Sequence, residues 1–183
     1  MQEVLSIEDT KLLLGYCRAG RLYEIEKWIV SQKSLRTHPS SKRTPLYIAI
    51  ESGFHSLVEL LARNEPALEL KNQAISQALS EKRLDLIQLL VSYGAEIKAI
   101  PLVDALLLWD PTIIRFFLEN GADVVTGYPF TVAFKEKIRT ALRPFVEYRK
   151  SHPEVAGALQ DHLNRALRYF AYEGDLKWVS LLM

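Results

Sequence analysis

The sequence predicts an all-α fold, a solenoid of stacked antiparallel helix pairs, on three observations. A large apolar residue recurs at Leu13, Leu46, Ile75, Leu102, Phe130 and Leu167. Three residues after each stands Tyr16, Ala49, Ala78, Ala105, Ala133 or Phe170, so the four inner copies carry Ala and the outer two do not. Fifteen residues after the first marker, a large apolar residue returns at Trp28, Leu61, Leu90, Phe117, Phe145 and Leu182. Small residues at the inner positions are what a stack demands, because inner units are pressed between neighbours and terminal units are not.

The second copy explains the first helix of each pair. Thr44 is placed to cap it, and Pro45 suits the first turn, where a missing N–H has no partner to lose. Leu46 and Ile50 fall four apart on one face beside Ala49. Gly53 permits the left-handed conformation that ends the helix. The run Thr44-Pro45-Leu46-Tyr47-Ile48-Ala49-Ile50-Glu51-Ser52-Gly53, followed by Leu57-Val58-Glu59-Leu60-Leu61, resembles the ankyrin repeat, in which Thr-Pro-Leu-His opens a short helix and Gly closes it. Pro101 and Pro129 repeat the place of Pro45, and Gly20 and Gly174 repeat that of Gly53. Gly94-Ala95-Glu96 and Gly121-Ala122-Asp123 match the close of an ankyrin second helix.

The resemblance divides residues 1–183 into one domain of six units, roughly 10–40, 41–71, 72–98, 99–125, 126–160 and an incomplete 161–183. The family unit is about 33 residues, whereas the second to fifth markers here follow one another more closely. The β-hairpin fingers that join family repeats are therefore expected to be short or missing. Lys82 and Trp109 replace the turn glycine, from which tight or irregular turns are expected. The fifth unit carries an insertion, in which Pro144 should start or kink the second helix and His152-Pro153 should mark a loop. The sequence stops at Leu181-Leu182-Met183 within the expected second helix of the sixth unit, as a fragment of a longer protein would.

Composition narrows the class. A net charge of +1 over 183 residues exerts no general pull on nucleic acid, and the apolar stretch 97–118 is broken by charges and prolines, so no membrane span is expected. One cysteine, Cys17, forms no internal disulfide framework and reads as a structural thiol in a reducing, cytoplasmic setting. His38, His55, His152 and His162 are scattered without metal-ligand spacing, and Asp161 and His162, adjacent on a helix, point apart. No catalytic residue, cofactor site or metal site is expected. Two stretches are locally basic: Lys33 to Arg43, where a finger would sit, and Lys135 to Lys150, where a phosphate-rich ligand is a weaker reading.

The resemblance implies a scaffold or adaptor that binds another protein along its concave helical face, monomeric as a domain. Carried over residue by residue, the candidate contacts are Arg43, Tyr47, Glu51, Ser52, Gln77, Ser80, Glu81, Leu108, Trp109 and Tyr128. Asn72 and Gln73 are expected in a finger. The alternative is an N-terminal targeting arm for a larger enzyme or effector whose catalytic domain lies past residue 183. The short, degraded repeats resemble bacterial, pathogen-effector or viral ankyrin proteins, the effector case implying delivery to a host cytosol.

Overall fold

The computed structural model describes residues 4–183, which hold twelve α-helices and no strand. They run in pairs: α1 (Ile7–Arg18) with α2 (Leu22–Val30), α3 (Pro45–Glu51) with α4 (His55–Asn64), α5 (Leu68–Ser80) with α6 (Leu84–Ser92), α7 (Leu102–Leu106) with α8 (Pro111–Glu119), α9 (Pro129–Lys135) with α10 (Leu142–Ser151), and α11 (Ala156–Glu173) with α12 (Leu176–Leu182). The chain divides into two compact units, residues 1–96 and 97–183. In the first, α1 packs on α3 and α3 on α5, while α2 packs on α4 and α4 on α6. In the second, α7 packs on α9 and α9 on α11, with α8 against α10 and α12 against α11.

Local chemistry starts these helices where they start. The Thr44 hydroxyl accepts the Tyr47 N–H at 3.1 Å ahead of Pro45, and Asp110 accepts the Thr112 N–H at 2.8 Å ahead of Pro111. Ser6 and Asp175 cap α1 and α12 in the same way. All six residues of the third marker are buried, as are Ala49, Ala78, Ala105 and Ala133. Leu167 is the exception among the first markers and is half-buried. In α11 the buried stripe is Leu159, His162, Ala166 and Phe170.

The turn at Lys82 is regular, which corrects the expectation there, whereas the Trp109 turn keeps the left-handed residue without the closing bond of the others. Seven residues after each marker the backbone is left-handed in all six units: Gly20 (φ 65°), Gly53 (74°), Lys82 (56°), Trp109 (62°), Lys137 (59°) and Gly174 (71°). The residue after each of Gly20, Gly53, Lys82, Lys137 and Gly174 donates its N–H to the carbonyl of the second-marker residue, as Arg83 does to Ala78 at 2.9 Å. This bond closes a Schellman turn. The turn is a property of the helix pair, imposed even where the residue has a Cβ.

The β-hairpin fingers, expected to be short or missing, are absent among the described residues, which hold no strand. Between α4 and α5 only Glu65, Pro66 and Ala67 intervene, and α5 begins early enough that Asn72 and Gln73 lie inside it. The unit boundary drawn at 71/72 therefore falls within a helix, and the boundary at 160/161 falls within α11. In both places good helix formers, such as Leu68-Glu69-Leu70 and Ala158-Leu159-Gln160, extend the first helix backwards. The basic link 31–44 is no protruding finger. Leu35 is buried, the His38 N–H donates to Thr10 Oγ1 at 2.9 Å, and Trp28 Nε1 donates to the Ser34 carbonyl at 2.9 Å. Pro144 is the third residue of α10, and His152-Pro153 separates α10 from α11.

Candidate interaction surfaces

In the first unit the expected contacts form two polar clusters on neighbouring first helices. Tyr47 and Glu51 lie one turn apart on α3, and Arg43, just ahead of it, donates to Glu51 Oε2 at 2.8 Å. The Arg43 guanidinium also lies 5.5 Å from the Tyr47 ring centroid. Both charged side chains are well exposed, so the pair contributes at most about 1 kcal/mol. Ser52 is half-buried at the end of α3. On α5, Gln77 Nε2 donates to Glu81 Oε1 at 2.6 Å and the Ser80 hydroxyl donates to the Gln77 carbonyl at 2.7 Å. Lys33 caps the Trp28 ring at 4.5 Å, which leaves the basic link partly self-satisfied.

The second unit presents a different chemistry. Trp109 is 49% exposed in its left-handed turn, Leu107 is 45% exposed, and Leu108 is half-buried. The outward leucine is thus Leu107, where the sequence singled out Leu108. Val103 stands at the offset that Tyr47 has from its marker, and Leu107 at the offset of Glu51. Carrying the register of the second repeat into the fourth would have found both. Val103 lines a groove of about 360 Å³, whose walls also include Ile100, Pro101 and Val132, with Lys98 and Asp123 among its polar lining.

The groove borders a built turn. The Asp123 carboxylate accepts the N–H groups of Val125 and Thr126 at 2.9 and 3.0 Å. Bonds from the Thr126 side chain, and then from these backbone groups, hold its carboxyl below the usual range. Gly127 and Tyr128 follow with successive positive φ angles of 75° and 54°. The Arg165 guanidinium covers the Tyr128 ring at 3.9 Å and donates to its hydroxyl at 3.1 Å, while bonding Asp161 at 2.8 Å on its other side.

Other candidates fall into structural roles. Cys17 is buried and its thiol is pushed up to about 12 by burial, which leaves no nucleophile at neutral pH. His55 opens α4, and His152 stacks on Tyr148 with ring centroids 3.9 Å apart. Asp161 turns outward to Arg165 while His162 turns into the core, so the two do point apart. Half of the basic side chains of the stretch 135–150 are engaged: Lys135 lies over Tyr169 at 4.8 Å, Lys137 pairs with Asp175 at 2.6 Å and Arg143 with Glu147 at 2.7 Å. Among the described residues no three His, Cys, Asp or Glu side chains are grouped to hold a metal ion, and no helix is long and apolar enough to cross a membrane. Residues 13–101 match the family model for ankyrin repeats, in 3 copies. No curated protein matches the chain.

Proposed function

With residues 13–101 belonging to the ankyrin-repeat family, we propose that the chain is a protein-binding adaptor that docks its partner chiefly on the first-helix surface of the second unit. Ankyrin repeats are generally protein–protein interaction modules and are typically non-catalytic. The observation that carries the finer reading is the exposed pair Leu107 and Trp109 at the end of α7, whose half-buried Val103, one turn before Leu107, lines the groove between α7 and α9. A tryptophan held half out of the protein on a left-handed backbone is costly twice over, and exposed aromatics beside apolar clefts are the usual anchors of interfaces. Burying Leu107 and Trp109 against a partner recovers that cost.

The left-handed residue seven places after each marker supports counting the pairs of the second unit as further repeats, six in all. A cytoplasmic site of action belongs to the same reading, supported by the lone, buried Cys17. The test is affinity purification of the tagged chain from its native cells, with yields quantified against Leu107→Glu/Trp109→Ala and Tyr47→Ala/Gln77→Ala variants. The first double variant should lose at least ten times more partner than the second, since a hot-spot anchor is worth about 2 kcal/mol or more. Equal retention by both variants refutes docking on the second unit.

A further inference from the structure

The core of the second unit contains a titratable group that the proposed binding surface does not use. His162, on α11, has no exposed surface, and neither ring nitrogen has a hydrogen-bond partner. Its ring lies 5.2 Å from that of Tyr128 and 6.4 Å from that of Phe130, centroid to centroid. Its backbone is tied across the helix interface, because Thr131 Oγ1 on α9 donates to the His162 carbonyl at 2.9 Å in a buried bond. A buried polar ring without partners is rare, and it is tolerated only while it stays neutral.

The surroundings offer a proton no counter-charge. From α9 the imidazole meets Phe130, and from the preceding turn Tyr128, while the backbone of Val125 favours the charged ring without outweighing burial. On its own helix Asp161 and Arg165 act on it with opposite signs, and Asp161 is already bonded to Arg165. No charged group of α10 or α12, which also pack on α11, acts on it. Burial, the dominant influence, holds the imidazolium pKa below its ordinary value.

We propose that His162 is a proton-operated latch: neutral, it allows α11 to pack on α9, and protonated, it drives the two apart and frees the Tyr128 turn. The imidazolium reaches water most cheaply by opening the side covered by Tyr128, whose ring is covered in turn by the exposed Arg165. The sign follows from linkage. The folded state binds this proton less readily than the unfolded chain, so the stabilising contribution is complete above about pH 6.5 and is lost as pH falls toward the depressed folded value. Below that value this group causes no further loss.

The test is hydrogen exchange on the full chain, comparing about pH 7.5 with about pH 5.5, either side of the ordinary imidazole value. After correction for intrinsic exchange rates, α9 and α11 amides that open with this interface should lose protection by up to about tenfold at the lower pH. His162→Leu, apolar and close in volume, should abolish that loss. Protection that is independent of pH in the wild type, or an equal loss in His162→Leu, overturns the proposal. Should the variant not fold, NMR titration of the wild-type His162 ring decides alone. A midpoint below about 6.5 supports the latch and one at or above it overturns the latch.

Discussion

Lys82→Gly should stabilise the first unit, against the usual expectation for an exposed glycine substitution. Lys82 sits at φ 56°, where a residue with a Cβ bears about 1–2 kcal/mol of strain. Glycine removes the strain but adds about 0.5–1 kcal/mol of unfolded-state entropy. Its side chain is exposed and makes no ion pair with any described residue, so little else is lost. The net gain is about 0.5–1 kcal/mol, or about 2–8 °C in Tm for a unit of this size. The same turn supplies the controls. Gly53→Ala meets nothing closer than the Arg83 guanidinium at 3.7 Å, so its cost, about 1 kcal/mol, is purely conformational. Gly20→Ala must also push aside the Phe54 ring, three atoms of which lie 2.7–2.8 Å from the new Cβ, and should cost more. Lys137→Gly gives up the Asp175 ion pair, worth up to about 1 kcal/mol, and should come out near neutral. Urea unfolding read by exchange of the α5 and α6 amides measures the Lys82 effect. A midpoint below wild type for Lys82→Gly would show that the turn does not strain its residue.

Three further outcomes follow from packing. Ala78→Leu, at a position with no exposed surface on α5, should destabilise the first unit by about 1–3 kcal/mol through overpacking, measured by urea unfolding. Cys17 should resist iodoacetamide at neutral pH in the folded chain and react at the ordinary thiol rate in urea, because burial both hides the thiol and raises its pKa to about 12; labelling of the folded chain at the free-cysteine rate would contradict this. Thr131→Val should cost about 0.5–1.5 kcal/mol in the second unit, since the buried His162 carbonyl loses its side-chain donor but keeps its bond within α11, and thermal unfolding monitored through α9 and α11 checks it.

The helix pairs were legible because their signals are local and periodic: a cap at Thr44, a proline at the first turn, and apolar residues returning at fixed offsets. What escaped was set by tertiary structure. The turn at Lys82 looked irregular because a glycine was missing, yet helix pairing imposes the left-handed backbone regardless of the residue. Asn72 and Gln73 were assigned to a finger because the family has one there, while the shortened link hands those residues to α5. His162 was read only against Asp161, as a helix neighbour pointing the other way, and its burial was not foreseen. Its place in the core follows once α11 is extended back to Ala156, because Leu159, His162, Ala166 and Phe170 then recur at helical spacing on one face.

The contrast between the two units bears on where binding energy is stored. In the first, Arg43 and Glu51, and Gln77 and Glu81, already satisfy each other, so a partner using these groups must replace bonds it breaks. In the second, Leu107 and Trp109 have no such internal satisfaction to lose, and each square ångström of apolar surface they bury contributes about 25 cal/mol. On the proposed function, the polar clusters set orientation and choice of partner, and affinity is expected to concentrate on the α7 surface. On this account Glu51→Gln should leave affinity within about threefold and change its salt dependence, as expected for an exposed charge. Leu107→Glu should instead weaken binding at every salt concentration. If salt titration of the purified complex gave the reverse, the division of labour between the units would have to be inverted.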